Sequence, residues 1–233
     1  MKTVTFINTM PGLSETWPVQ PMSSAIPNWV RTARDDYTKN KDMRQTHIFR
    51  CHGIGSLYKT GYVIRAWHDT RVYSEGDTKI EIQKPETLHD ASVDIQQGDG
   101  IAKFLPKRPW SSRSIIKFST PWHIISDVKF LMLPVAYTDT FEFEACHGLL
   151  DPSVSTEINV QVYWNKVGVP HTIDAGTPLC HLVPLCDEEV KYEMRDATPQ
   201  DMECLKKRHY VNHMSFNFNI SKIKNLYRNF WRK

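Results

Sequence analysis

The sequence of 233 residues has no apolar run that approaches the roughly 20 residues needed to cross a bilayer. Its first residues, 1–14, also lack the apolar stretch of a signal peptide. We therefore expect a protein that is made and kept in a cytoplasm and has no membrane partner. Cysteine is scarce too: five residues at irregular spacing favour reduced, mostly buried thiols over a disulfide framework.

Acidic residues are absent after Glu203, and the segment 204–233 carries a charge of +8, whereas the rest of the chain carries −5. Such a basic tail predicts binding to an acidic protein surface, including that of its own body, or nonspecific contact with nucleic acid that weakens with salt. The alternative is a solvated basic helix packed by its apolar side. The interaction residues predicted in the tail are Lys206, Lys207, Arg208, Lys222, Lys224, Arg228, Trp231 and Arg232.

The N-terminal region is rich in proline, with four prolines among its first 30 residues and Trp17 and Trp29 between them. Proline argues against a regular helix or a central strand, so we expect an extended arm over residues 1–45. Within it, the segment 25–30 is compatible with the start of a short helix, with Pro27 at an early helical position. A solvated linker rarely carries two tryptophans, because burying each side chain stabilises the folded state by roughly a few kcal/mol. Trp17 and Trp29 are thus predicted to lie on the chain's own body or on a neighbouring subunit.

Residues 46–186 contain short runs of β-branched and aromatic residues separated by Gly, Asp, Ser and Pro, which predicts a mainly β core. The segment Glu157–Trp164 alternates polar and apolar residues, as a strand with one buried face does. Residues 84–114 are predicted to form a loop insertion. In the tail, 187–233, Thr198 as N-cap and Pro199 at the first helical position predict a helix, and a second is expected over 221–231.

Two motifs flank the alternating strand: Gly148-Leu149-Leu150-Asp151 before it, and Gly176-Thr177-Pro178 after it. Their order resembles that of dUTPases and dCTP deaminases, and also a family from tailed phages and bacteria that has no established activity. The resemblance implies a β-clip fold, a β-sandwich that is usually trimeric in the dUTPase group. It covers roughly residues 61–185, and only its last third is specific.

The resemblance places Asp151 where dUTPases have the carboxylate that orients the attacking water. However, Val154 stands where the family has a tyrosine that packs on uracil, and Thr156 stands where it has a glycine. The Arg-Ser-Ser phosphate motif should follow Leu133-Pro134, but Val135-Ala136-Tyr137 is found there, and the glycine-rich closing tail is missing. Because the donors that stabilise phosphate charge are missing, we expect no catalytic residue; if the chain is an enzyme after all, Asp151 is the candidate.

Three Cys-His pairs, at Cys51, Cys146 and Cys180, raise the hypothesis of a zinc site. Adjacent residues on a strand point to opposite faces, so each pair could supply only one ligand to a common site. Buried cysteines beside surface histidines are the preferred interpretation, and we expect neither a metal nor a cofactor.

The sequence thus favours a non-catalytic β-clip protein of a tailed-phage virion, a head, neck or tail component assembled after synthesis in the host cytoplasm. Its partners would be other virion proteins and further copies of itself, bound through the terminal segments. Two alternatives remain open: a cytoplasmic protein that binds or hydrolyses nucleotides, centred on Asp151, and a phage-encoded inhibitor of a host factor.

Overall fold

The computed structural model of the chain describes residues 2–40, 47–77, 79–85, 93–96, 104, 108 and 112–214. The protein is mainly β, with 42% of the described residues in strands and 22% in helices. The strands are β1 Lys2–Asn8, β2 Gln20–Pro21, β3 Tyr62–Arg65, β4 Thr70–Gly76, β5 Lys79–Gln83, β6 Val93–Gln96, β7 Ile115–Ile125, β8 Phe130–Leu133, β9 Phe143–Ala145, β10 Gly148–Leu150, β11 Glu157–Trp164, β12 His171–Ile173, β13 Pro178–Pro184 and β14 Val190–Asp196. The α-helices are α1 Leu13–Thr16, α2 Asn28–Lys39, α3 His52–Lys59 and α4 Pro199–Met214.

Three sheets make up the sandwich-like body. The large sheet has the strand order β14-β1-β7-β11-β9, with β6 also paired to β7. The second sheet has the order β10-β8-β13-β3-β2, and the small sheet has the order β12-β4-β5. All pairs are antiparallel except β1 with β14. Among the described helices, none is long and apolar enough to span a membrane.

The main core lies between the large and second sheets and follows the alternation of β7 and β11. Along β11, Ile158, Val160, Val162 and Trp164 are fully buried, while the residues between them are partly exposed. The strand predicted from this alternation is confirmed with the same bounds, Glu157–Trp164. The facing side chains of the second sheet are Ile64, Phe130, Met132, Leu179, Cys180 and Leu182.

The extended N-terminal arm predicted for residues 1–45 is wrong at its start. Residues 2–8 form β1, which lies inside the large sheet between β14 and β7 and buries Val4, Phe6 and Ile7. The first proline is Pro11, so the restriction that prolines impose begins only after this strand has ended. Residues 28–39 form α2 with Pro27 as its N-cap, so a helix does start in the segment 25–30, and it is 12 residues long.

The charged segment after Cys186 is also part of the body rather than of a separate tail. Its residues 190–196 form β14, which pairs in parallel with β1 along seven residues. Val190 and Tyr192 pack against the main core, and the charged Lys191 and Glu193 alternate with them on the exposed face. Charges at every second position suit an edge strand with one face in water.

Helix α4 begins as the sequence predicts, at Pro199 after the N-cap Thr198. The backbone N–H of Asp201 donates to Thr198 Oγ1 over 3.2 Å, and the backbone N–H of Thr198 donates back to Asp201 Oδ2 over 2.8 Å. This reciprocal pair is a capping box with aspartate in the acidic position. Arg195 also donates to both carboxylate oxygens of Asp201, which lowers the pKa of that carboxyl to about 2. The helix is thereby joined to β14.

A helical layer covers part of the outer face of the second sheet. Its small core contains Met22, Val30, Tyr58, Val63 and Val135, with partly buried side chains such as Trp29 and Phe49 packed against them. Residues 48–50, at the start of the predicted β core 46–186, instead form a 3₁₀ turn that contributes Phe49 to this layer. The layer stops short of β10, so the described residues cover the outer face of the second sheet at one end only.

The predicted insertion at 84–114 is described only in part. Residues 93–96 form β6, which pairs with the first half of β7 and buries Val93 beside Phe118. Arg108 lies over the ring of Tyr163, 3.8 Å from its centroid, and donates to Glu144 over 2.8 Å. These residues lie on the large sheet, so the described part of this segment belongs to the body.

Candidate functional site

Asp151, the candidate for catalysis if the chain is an enzyme, lies in the turn between β10 and β11. Its carboxylate accepts from the backbone N–H of Ser153 at 3.0 Å and from Ser153 Oγ at 2.5 Å. Lys129 Nζ lies 3.0 Å from the other oxygen. Burial raises the pKa of Asp151, but the hydrogen bonds from Ser153 and Lys129 outweigh it, so the pKa is lowered. The carboxylate is therefore ionised and is used to hold its own turn together.

A polar groove of about 220 Å³ lies beside this turn. One wall is the outward-facing row of β11, formed by Glu157, Asn159 and Gln161. The amide of Asn159 donates to Glu157 over 3.1 Å. The other residues that line it are Met132, Cys146, His147, Gly148, Leu149, Leu150 and Ser155. Carboxylate, amide and hydroxyl groups give this groove the chemistry to bind a small polar molecule.

An apolar patch crosses the uncovered end of the second sheet. Leu149 on β10 is directly opposite Leu131 on β8, and Leu131 is directly opposite Val183 on β13. Directly opposed residues share one face, and here it is the outer face, because Phe130 and Met132 point into the core. Leu149 is 60% exposed and Leu185, just beyond β13, is 51% exposed. We call these four residues, Leu131, Leu149, Val183 and Leu185, the leucine patch.

Trp17 lies against the chain's own body, over the turn that contains Gly176. A Cβ atom added at Gly176 would come within 2.9 Å of the indole ring, and Gly176 has a φ of +90°. Glycine at position 176 of the Gly176-Thr177-Pro178 motif is therefore needed for the turn and for the tryptophan above it. Trp17 remains 40% exposed, and its contact with a neighbouring subunit stays a prediction.

Trp29 also makes contacts within the chain. Its Nε1 donates to the carbonyl oxygen of Tyr137 over 2.8 Å, and its ring meets that of Tyr137 edge-on at 5.8 Å. Tyr58 donates to the adjacent carbonyl of Ala136 over 2.9 Å. Together they fix the loop after β8, in which Tyr137 has an uncommon positive φ of 53°.

The basic residues predicted for interaction lie mostly outside the described residues. Lys206 and Lys207 are exposed on α4, and Lys207 is paired with Glu203 at 2.6 Å. Arg208 lies on α4 as well. Lys222, Lys224, Arg228, Trp231, Arg232 and the helix predicted over 221–231 fall outside the described residues.

The three Cys-His pairs differ in exposure. Cys51 is exposed, Cys146 is partly buried and beside an exposed His147, and Cys180 and His181 are both buried. The prediction of a buried cysteine beside a surface histidine is therefore wrong for the first and third pairs. Burial raises the pKa of the Cys146 thiol to about 11. In the part of the chain that the structure describes, no three His, Cys, Asp or Glu side chains are grouped as metal ligands.

The leucine patch and the groove were not predicted from the sequence. Alternation shows which residues of a strand share a face, but not whether another layer covers that face. A comparison with known protein families finds no family model that matches the chain, and a comparison with curated proteins finds no similar one.

Proposed function

We propose that the chain is a non-catalytic structural or assembly protein of a tailed-phage virion, built on a dUTPase-like β-clip. The tailed-phage context comes from the resemblance of its sequence motifs. In this proposal the chain is a head, neck or tail component that forms homo-oligomers, as dUTPases form trimers, and binds other virion proteins. The leucine patch is the observation that carries the proposal.

An exposed patch of this kind supports a binding role for physical reasons. Contiguous apolar surface that stays in water is costly, and on soluble proteins it commonly marks a site of protein association. Beside the patch, β10 is a three-residue edge strand whose outer backbone groups have no partner strand among the described residues. A neighbouring subunit could cover the leucines and this edge together.

The state of Asp151 supports a role other than catalysis. Its carboxylate is already engaged by Ser153 and Lys129, so activating a water molecule would require breaking these contacts. The same contacts are expected in a turn with a purely structural role, because an aspartate that accepts a hydrogen bond from the residue two positions later stabilises the turn.

The test is the copy number of the chain in purified virions of the phage that encodes it, measured by quantitative mass spectrometry. The wild-type chain is expected at a fixed stoichiometry. Leu149→Asp places a charge on the most exposed side chain of the patch, so incorporation is expected to fall about tenfold or more, as loss of an anchoring interface side chain does. Complete absence of the wild-type chain from purified particles would overturn the proposal.

Val169→Asp is the matched control for Leu149→Asp. Val169 is also an exposed apolar residue, 53% exposed, but it lies in the loop before β12, away from the leucine patch. Incorporation of Val169→Asp is expected to equal that of the wild type. Equal losses for the two variants would show that added charge, rather than the patch, governs incorporation.

A nucleotide-binding protein is the second candidate, because the polar groove lies beside the hairpin that resembles the dUTPase motif. Deoxynucleoside triphosphates with Mg²⁺ would then raise the Tm of the purified chain, since a ligand that binds only the folded state stabilises it. Pyrophosphate release that is abolished by Asp151→Asn would favour this candidate over the assembly role. An unchanged Tm with dUTP and with each of the four standard deoxynucleoside triphosphates at millimolar concentration would exclude it.

A further inference from the structure

A second cavity, which we call the end pocket, opens between the large and second sheets where β8, β9 and β13 meet. It has a volume of about 200 Å³. Its apolar walls include Val135, Phe143, Ala145 and Leu179, each less than 10% exposed. The remaining residues that line it are Pro134, Thr138, Thr140, Phe141, Glu144, Asn165 and Pro178.

The size of the end pocket limits what it can hold. Pockets for drug-sized ligands occupy roughly 300–1,000 Å³, so this one is suited to a single large side chain. Its walls are mostly apolar, which favours an aromatic or aliphatic group over a sugar or a phosphate. Thr138 and Thr140 add hydroxyl groups that can accept a hydrogen bond from an indole N–H or a phenol.

The rim of the end pocket is held in place from two sides. On one side Trp29 and Tyr58 bind the carbonyls of Tyr137 and Ala136. On the other side the backbone N–H of Asn165 donates to the carbonyl of Glu142 over 2.7 Å. Phe141, between these anchors, is nevertheless 77% exposed. A fixed loop that presents an exposed phenylalanine next to an apolar cavity is typical of a preformed binding site.

The described acids at the end pocket, Asp139, Glu142 and Glu144, outnumber the two bases paired with them, Arg108 and Lys166. Residues 130–165 contain five acidic residues and no lysine or arginine. Two of the acids near the pocket are paired with bases from elsewhere: Glu144 with Arg108 at 2.8 Å and Glu142 with Lys166 at 3.8 Å. Asp139 is exposed and has no ion pair among the described residues. An occupant with lysine or arginine beside its aromatic group is therefore favoured.

Residues 221–233 of the chain itself have this composition. They contain Tyr227, Phe230 and Trp231, together with five lysines and arginines and no acid. We propose that the end pocket binds an aromatic side chain of this C-terminal segment, with the adjacent basic residues paired to the acidic rim. The proposal concerns the purified chain alone, so its failure would leave the virion role untouched.

The test is site-specific photocrosslinking in the full-length chain. The photoreactive residue p-benzoylphenylalanine replaces Trp231, and crosslinked peptides are mapped by mass spectrometry after irradiation. Adducts are expected on residues 134–145, 165 or 178–179. Adducts that map only elsewhere, or an absence of adducts, would overturn the proposal.

Two threonine variants test whether the crosslinks of the C-terminal segment depend on the end pocket. Thr140→Trp fills the pocket, so adducts are expected to fall about tenfold, as when one anchoring side chain is lost. Thr172→Trp makes the same change at an exposed threonine on β12 and is expected to leave the yield of crosslinked peptides unchanged.

Asp139→Lys, a surface change that spares the core, is expected to lower the yield of crosslinked peptides through charge repulsion. Wild-type yields in both Thr140→Trp and Asp139→Lys would contradict the assignment.

Discussion

Replacing Gly61 by alanine is expected to lower the free energy of unfolding by about 3–5 kcal/mol, a large part of the roughly 5–15 kcal/mol that stabilises a typical domain. Gly61 precedes β3 and has a φ of +77°, a conformation that alanine adopts only at a cost. More important, the added Cβ would lie 2.1 Å from the carbonyl oxygen of Leu182 and 3.1 Å from Nε2 of His181. Because the closest obstacle is backbone, β3 and β13 would have to move apart.

Gly12→Ala separates the two causes of this effect. Gly12 has nearly the same φ, +80°, but no heavy atom lies within 4 Å of an added Cβ. Its replacement is expected to cost only the backbone strain, about 1–2 kcal/mol. Urea denaturation of both variants measures the difference. If Gly61→Ala costs no more than Gly12→Ala, the close approach of β3 to β13 does not contribute to stability.

The sequence predicts best the elements that depend on local pattern. The alternation of β11 and the capping residues Thr198 and Pro199 each gave an element whose start the structure reproduces. A capping box is made by residues three positions apart, and an alternating strand shows its buried face within eight residues. Neither depends on the distant parts of the chain.

The pairing of β1 with β14 could not be predicted in this way. The two strands are separated by more than 180 residues, and the carbonyl of Asn8 and the carboxylate of Asp196 complete the joint between them. Asp196 accepts from Asn8 Nδ2 at 3.0 Å, from the backbone N–H of Gly12 at 2.9 Å and from Ser14 Oγ at 2.5 Å. A charged segment far along the chain therefore serves as the edge of the main sheet.

The candidate functional sites, like the pairing of β1 with β14, could not be derived from local sequence pattern alone. The sequence places Asp151 before the alternating strand, but only its contacts with Ser153 and Lys129 show how the carboxylate is used. The leucine patch depends on which half of the second sheet the helical layer leaves uncovered. On this sheet the outer row Leu133-His181-Val63 reaches the layer at Val63, whereas the row Leu149-Leu131-Val183 lies away from it.

His181 is the one histidine in the row Leu133-His181-Val63, and it is fully buried. Its Nε2–H donates to the carbonyl of Thr60 over 2.6 Å, and Nδ1 has no hydrogen-bond partner among the described residues. Burial lowers the pKa of His181 below its usual 6.5, although the hydrogen bond to Thr60 opposes this. The folded protein thus favours the neutral ring, since a charged ring would be desolvated with one nitrogen unpaired.

We expect this histidine to make the protein sensitive to mild acid. Its contribution to stability is complete above pH 6.5, where the ring is neutral in both states. Below pH 6.5 the unfolded chain binds a proton that the folded chain refuses, so stability is lost as the pH falls toward the lowered pKa of the folded state. The loss amounts to as much as about 1.4 kcal/mol per pH unit for this single proton.

Urea denaturation at several values between pH 7.5 and 5 measures this slope. His181→Gln keeps an N–H donor for Thr60 but cannot take up the proton, so its free energy of unfolding should change less steeply with pH, even if the variant is less stable at pH 7.5. Thr60 immediately precedes Gly61, and so the proton would act at the same close contact between β3 and β13 that Gly61→Ala disturbs. Equal slopes for the wild type and His181→Gln would show that another group is responsible.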